Sequence, residues 1–191
     1  YTHCANVGIL LAAFALHDGR SRSEAMVSGL AGLLHDVGMA RLPISLLCSR
    51  SRLSPTEQVL VKRHPMLAAD VLSAVPGLQI DIFYAAIENH ENYDGSGYPR
   101  GLSGAAISSI GHLTAIAGAY DAMSSRRLHK GAFQPHVALG SMFRDRQKQF
   151  HPVLLERFVR MLGIYPVGSL VELRDGYRGI VTSSSATSLT R

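Results

Sequence analysis

The stretch Leu33-Leu-His-Asp-Val-Gly-Met-Ala-Arg-Leu-Pro43 places an ionisable pair directly after an apolar helical run. The run has the spacing of one helix face and comprises Val27, Leu30, Leu33 and Leu34. Burial of His35 and Asp36 at the end of such a face is costly unless the charges are paired or bound to a metal ion. The pair therefore marks a candidate site on a helical scaffold.

Helical signals continue on both sides of this stretch. His3, Val7 and Phe14 have helical spacing near the start of the chain. Ser54-Pro55-Thr56-Glu57 predicts a helix start, and His64-Pro65 predicts another, because proline is tolerated in a first turn but not inside a helix. The other predicted helices run from about Ser23 to Gly38 and over residues 79–90, 110–125, 135–149 and 152–162, with a glycine-rich loop at 91–108.

The end of the chain has a different character. Apolar residues alternate on both sides of Asp175-Gly176, a pattern typical of a β-hairpin. The last residues are of low complexity and predict a disordered tail. We therefore predict an all-α fold with a helical domain at 1–163, a small C-terminal β-hairpin extension at 164–182 and a tail at 183–191.

Composition limits the class of protein. The 191 residues are 47% hydrophobic and 17% charged, which suits one domain with an ordinary core. No apolar run approaches the roughly 20 residues that cross a bilayer, so no membrane contact is expected from this segment. The two cysteines form neither a CxxC pair nor a disulfide framework, which indicates a reducing compartment and a cytoplasmic location. A first residue of Tyr1 rather than Met favours a fragment of a longer protein.

The formal net charge of +5 leaves two interpretations open. No basic run is interleaved with aromatic residues, which argues against a nucleic acid polymer as partner. The cations in the second half of the sequence form either a solvated basic surface or a site for a small anionic ligand: Arg100, Arg126, Arg127 and Lys130.

Imidazole and carboxylate groups recur at predicted helix ends. His3 lies in the first helix, His35-Asp36 follows the second, His64 opens a later one, and His90-Glu91 precedes the glycine-rich loop. These groups suit Zn, Fe, Mn and similar ions. In an adjacent His-Asp pair, the carboxylate can bridge two ions while the imidazole binds one. The remaining histidines are interpreted as ordinary packing or surface residues: His17, His112, His136 and His151.

Three motifs in order resemble the HD-GYP family. They are the opening stretch, Lys62-Arg-His-Pro65 and His90-Glu-Asn-Tyr-Asp-Gly-Ser-Gly-Tyr-Pro99. This family is the subgroup of HD-superfamily metal phosphohydrolases that hydrolyses cyclic di-GMP. The resemblance runs from His3 to about Val181 and implies an HD-domain helical bundle with a short C-terminal β extension.

The resemblance also implies roles for individual residues. It gives a divalent-metal site of the Fe, Mn or Zn type, with one or two ions or none, and makes Asp36 catalytic in an active member. The implied metal ligands are His3, His35, Asp36, His64 and His90. The implied substrate contacts are Gly97, Tyr98 and Pro99 of the GYP loop and the basic pair Arg127 and Lys130. The GYP loop is also a candidate surface for GGDEF cyclase domains.

The chain departs from the family pattern at four positions. Met39 replaces the Lys of HD-x-G-K, and Asn89 replaces the first His of His-His-Glu. Gly118 replaces the first Asp of Ala-Asp-x-x-Asp-Ala, while Asp121 retains the second. His129 replaces a Tyr after the basic Arg. Both implied metal sites would lose a ligand, which favours impaired turnover.

Three functions follow from this pattern. The first is a cyclic di-GMP signalling domain with little or no phosphodiesterase activity that binds the nucleotide or a partner. The second is an active metal-dependent phosphodiesterase that produces the linear dinucleotide. The third is a purely structural interaction domain.

Overall fold

The computed structural model describes residues 2–48, 51–125 and 133–183. The described chain is mostly helical and carries an antiparallel β-hairpin near its C-terminal end, which confirms the predicted fold class. The helices are α1 Thr2–His17, α2 Arg22–Leu34, α3 Ile44–Leu47, α4 Pro55–Val61, α5 His64–Leu72, α6 Ile80–Glu88, α7 Ser109–Ser124, α8 Pro135–Arg144 and α9 Pro152–Leu162. Short 3₁₀ helices span Val37–Arg41 and Gly104–Ala106, and the strands are β1 Leu170–Glu172 and β2 Arg178–Ile180.

Two helices begin with reciprocal side-chain caps. Ser54 accepts a hydrogen bond from the backbone N–H of Glu57, and the Glu57 carboxylate accepts one from the backbone N–H of Ser54. Ser21 and Glu24 form the same capping box at α2. Because this box satisfies backbone donors that would otherwise lack a partner, α2 begins at Arg22.

The structure corrects several predicted helix boundaries. Helix α2 ends at Leu34, and Gly38 lies inside the following 3₁₀ helix instead of ending α2. A Cβ atom at Gly38 would lie 1.9 Å from the carbonyl oxygen of His64, so the 3₁₀ helix lies directly against α5. Helix α6 ends at Glu88 and α8 at Arg144, both earlier than predicted, while α3 lies in a segment predicted as loop.

The main core lies between α1, α2 and the later helices α6 to α9. It buries apolar residues from all of them, including Leu11, Ala31, Ile82, Ile116, Met142 and Phe158. Helices α1 and α2 approach closely, because a Cβ atom at Gly32 would lie 2.7 Å from the Cα atom of Gly8. This contact holds the start of α1 next to the end of α2, where the candidate site lies.

The hairpin is confirmed on both sides of the predicted turn. Leu170 pairs with Ile180, Val171 with Gly179 and Glu172 with Arg178. Gly176 adopts a φ of 87°, which glycine tolerates without a steric penalty. The division of the chain into domains stays a prediction, and residues 184–191 of the predicted tail lie outside the described residues. In the described ranges, no helix combines the length and apolarity that a membrane span requires.

Candidate metal centre

The structure brings the five predicted ligands together from separate elements. His3 lies in the first turn of α1, His35 directly follows α2, and Asp36 directly precedes the first 3₁₀ helix. His64 opens α5, and His90 follows the end of α6. They form two groups of three that share Asp36, and in each group the potential ligand atoms lie within 4.8 Å of one another. The groups are His3, His35 and Asp36, and Asp36, His64 and His90.

The spacing within these groups fits an ion between the side chains. Asp36 Oδ2 lies 3.3 Å from His35 Nε2 and 4.0 Å from His3 Nε2, and Oδ1 lies 3.4 Å from His64 Nε2. Ligands about 2.0–2.2 Å from a common ion lie roughly 3–4 Å apart. His64 Nε2 is buried without a hydrogen-bond partner. Buried polar atoms normally have a partner, and a metal ion bound to this nitrogen would supply one. The donor set therefore suits divalent metals.

Hydrogen bonds fix the orientation of the imidazole rings. His35 Nδ1 lies 2.6 Å from the carbonyl oxygen of Gly32, and His64 Nδ1 lies 2.7 Å from that of Val61. Because a carbonyl oxygen only accepts hydrogen bonds, each Nδ1 carries the proton. In the neutral form of each ring the lone pair then lies on Nε2, the nitrogen nearest Asp36 and the one that a metal ion would need.

Asp121 provides the corresponding contact for His3, a role that the sequence does not predict. Its Oδ2 lies 2.6 Å from His3 Nδ1, and its Oδ1 accepts hydrogen bonds from Asn6 and Ser125. Asp121 lies one turn after Gly118, the position at which the family has its ligand. The available signal is that Asp121 is the lone acidic residue in the largely apolar α7.

The electrostatics differ among the candidate ligands. Burial opposes a charge on His35, but the neighbouring Asp36 more than offsets it and raises the pKa of His35. Burial opposes the charged form of Asp36, but the imidazoles of His35 and His64 more than offset it and hold the carboxyl pKa well below its usual range. Burial and the neighbouring His64 lower the pKa of His90 to about 4. At neutral pH Asp36 is therefore anionic and His90 is neutral.

The GYP loop lies directly against the second group. A Cβ atom at Gly97 would lie 2.3 Å from the backbone nitrogen of Asn92, so only glycine fits there. The ring of Tyr98 stacks on that of His90, and the backbone N–H of Tyr98 donates to the His90 carbonyl oxygen. On the surface, Lys62 Nζ lies 5.3 Å from the centroid of the Tyr98 ring. The loop thus covers one face of the His90 ring, a candidate metal ligand.

Two buried carboxylates hold this loop in place. Glu91 accepts hydrogen bonds from the backbone N–H groups of Arg100 and Leu102. Glu88 accepts one from the Arg100 guanidinium and one from the backbone N–H of Ser108 at the start of α7. The sequence suggests that Glu91 is unusual because of its place beside His90, but it does not predict these partners.

The departures from the family pattern have different structural settings. Met39 lies in the first 3₁₀ helix. The Asn89 amide donates to the His35 carbonyl oxygen at 3.4 Å, and its own Oδ1 is buried without a partner. A Cβ atom at Gly118 would meet no atom within 4 Å. The predicted phosphate contacts Arg127 and Lys130, together with His129, lie outside the described residues.

Comparisons with known proteins agree with this fold and site. The family model described as HD domain matches residues 6–154, and the chain belongs to this family. A cyclic di-GMP phosphodiesterase of Pseudomonas aeruginosa is 34% identical over 99% of this chain and 46% of its own length. A cyclic di-GMP phosphodiesterase response regulator of Xanthomonas campestris is 34% identical over 74% of this chain and 38% of its own length.

A solved structure gives the same result for the fold. An HDG"Y"P protein of Bdellovibrio bacteriovorus superimposes with a TM-score of 0.66 and 22% identity over 82% of this chain and 50% of that chain. The HD-GYP resemblance is therefore confirmed. The chain spans less than half the length of the two curated relatives described above.

Proposed function

We propose that the chain is a metal-dependent phosphodiesterase that hydrolyses cyclic di-GMP to the linear dinucleotide. The observation that carries this proposal is the pair of three-residue groups that share Asp36. Three protein ligands are enough to hold a catalytic ion and leave a position open for substrate. The names of the relatives support cyclic di-GMP as the substrate.

We assign His3, His35 and Asp36 to one ion, and Asp36, His64 and His90 to the other. Imidazole and carboxylate ligands favour ions of the Fe, Mn or Zn type. Such ions supply Lewis-acid polarisation of a phosphoryl oxygen and a nucleophilic water at neutral pH. Asp36 keeps the centre together, since it is the ligand that both groups use.

The remaining assignments concern the substrate. Gly97, Tyr98 and Pro99 form the wall beside the second group, where the glycine lets the backbone approach closely. Arg127 and Lys130 are proposed to bind phosphate oxygens, the guanidinium as a fork and the ammonium as a point charge. Arg100 is held by Glu88 and so contributes to the loop.

An impaired domain is the second candidate, and Met39, Asn89 and Gly118 are the observations that favour it. The assembled ligand groups support the active enzyme better, because each retains three donors despite these replacements. The expected GGDEF partner finds no support in the compared proteins and stays a prediction.

Metal-dependent turnover tests the proposal. Metal-stripped protein is incubated with Mn²⁺ and cyclic di-GMP, and the linear product is separated by chromatography. We expect hydrolysis that requires Mn²⁺ and that Asp36→Asn abolishes, because both groups lose their shared carboxylate. The surface variant Asp70→Asn serves as the control and keeps full activity, since Asp70 is exposed.

Other outcomes select the other candidates. Bound Mn²⁺ and bound nucleotide without hydrolysis would establish the impaired signalling domain. Binding of neither Mn²⁺ nor nucleotide at millimolar concentration would leave the structural interaction domain.

A further inference from the structure

Asp121 lies outside the two groups of candidate metal ligands, but its carboxylate contacts one of them, His3, directly. Asp121 extends from α7 to α1, where its Oδ2 lies 2.6 Å from His3 Nδ1. Its Oδ1 accepts hydrogen bonds from Asn6 Nδ2 at 2.7 Å and from Ser125 Oγ at 2.8 Å. The Asp121 side chain is only 6% exposed. Three hydrogen-bond partners therefore surround this nearly buried side chain.

This contact differs in charge from the equivalent contacts of His35 and His64. His35 and His64 each place Nδ1 against a neutral backbone carbonyl oxygen. His3 instead places Nδ1 against a carboxylate. An anionic acceptor fixes the orientation of the ring and the Nδ1-protonated tautomer more firmly than a carbonyl does.

The first ligand group needs such a contribution. Among its members, Asp36 is the one anion, and it is shared with the second group. Gly118 lies one turn before Asp121 and provides no side chain. A negative charge held through His3 compensates for part of the positive charge that an ion would bring.

We propose that Asp121 is a positioning residue that acts through His3 and strengthens metal binding in the first group alone. This inference rests on the proposed metal centre. In the neutral ring Asp121 holds the proton on Nδ1, which leaves Nε2 of His3 as the ligand atom, 4.0 Å from Asp36 Oδ2. It is not a ligand itself, because its Oδ2 is occupied by Nδ1 of His3.

The replacement Asp121→Asn removes the negative charge of this side chain but nearly keeps its size and shape. An asparagine amide that donates to His3 Nδ1 forces the proton onto Nε2, which removes the lone pair from the ligand position. Loss of an outer partner of a metal-bound histidine costs about 10–100-fold in metal affinity. We expect a loss of that size at one Mn²⁺ site and none at the other, because His3 belongs to a single group.

Calorimetric titration of Mn²⁺ into the metal-stripped chain measures both affinities without nucleotide or turnover. Asn6→Ala is the matched control, because it removes a hydrogen bond between α1 and α7 to the same carboxylate but keeps the charge and the His3 contact. We expect Asn6→Ala to leave both affinities nearly unchanged. ¹⁵N NMR of the His3 ring in the wild-type, metal-free chain is the second measurement and should show a proton on Nδ1.

Unchanged Mn²⁺ affinities in Asp121→Asn would overturn the inference. An equal loss in Asn6→Ala would do so too, as would a neutral His3 in the wild type that carries its proton on Nε2. A wild-type chain that binds no Mn²⁺ would overturn both this inference and the proposed function. Normal Mn²⁺ binding in the wild type with unchanged binding in Asp121→Asn would overturn this inference alone.

Discussion

The ring of Tyr98 stacks on the imidazole of His90, with centroids 4.8 Å apart and planes inclined by 9°. His64 meets the same imidazole edge-on, at a centroid distance of 4.9 Å. His90 is thus held between a neighbouring candidate ligand and the GYP loop. The loop therefore fixes the position of one ring of the candidate metal centre.

Replacement of Tyr98 should weaken metal binding at the second group. An aromatic pair contributes about 0.5–1.5 kcal/mol, so Tyr98→Ala should lower Mn²⁺ affinity at one site by about 2- to 12-fold. Tyr98→Phe keeps the ring and should bind Mn²⁺ as the wild type does. Calorimetry on the metal-stripped variants checks both. An equal loss in Tyr98→Phe would attribute the effect to the hydroxyl group instead.

Restoration of the family ligands should raise metal occupancy. Asn89→His adds an imidazole where a buried amide oxygen now lacks a partner, and Gly118→Asp adds a carboxylate where a Cβ atom meets nothing. We expect the double variant to retain more metal per chain, toward two ions, by plasma mass spectrometry after purification. Gly140→Asp is the control, because its Cβ position is also open. Unchanged occupancy would mean that the family pattern is wrongly aligned on residues 117–122.

A methyl group at Gly38 should destabilise the fold. Its Cβ atom would lie 1.9 Å from the carbonyl oxygen of His64 and 2.6 Å from the backbone nitrogen of Ala68. Overpacking of this kind costs about 1–3 kcal/mol, so Gly38→Ala should lower the free energy of unfolding by at least that amount. Gly140→Ala, in α8 with open space, should raise it by about 0.5–1 kcal/mol. Urea unfolding measures both, and a neutral Gly38→Ala would contradict the close approach of α5.

His112 should make the fold sensitive to mild acid. It is buried and its Nε2 donates to the carbonyl oxygen of Gly104 at 3.0 Å. Burial lowers the pKa of His112 below its usual 6.5, although the Gly104 contact partly opposes this. Since the unfolded chain takes up the proton first as the pH falls, stability is present above pH 6.5 and declines below it.

The variant His112→Gln isolates this effect, because the glutamine amide can still donate to Gly104 but does not titrate. The free energy of unfolding in urea is compared between about pH 7.5 and 5.5. We expect the variant to lose less stability on acidification than the wild type. Equal losses would place the acid sensitivity in other groups.

Local signals in the sequence account for most of the helices. Ser54 with Glu57, and proline after His64, mark starts that the structure confirms. The hairpin follows from the alternation around Asp175-Gly176. The predicted end of α2 at Gly38 was wrong. Glycine is needed at position 38 because the backbone of His64, 26 positions along the chain, lies too close for a side chain, and not because a helix ends there. Such long-range packing leaves no local pattern.

The candidate site likewise contains residues that the sequence predicts and contacts that it does not. His35 and Asp36 stand out as charges after an apolar run, and the family motifs add the other three ligand candidates. Asp121 contacts His3 across 118 positions, and Glu91 holds the backbone of the loop. These contacts depend on how helices pack, so no spacing rule could have predicted them.

The two oxygens of Asp36 face different partners: Oδ2 faces His3 and His35, and Oδ1 faces His64. If the proposed ions bind there, one side chain would hold both, so the link between the two groups depends on a single carboxylate more than on the packing of several helices. The helices around the site could then vary in sequence without changing the residue that joins the two groups.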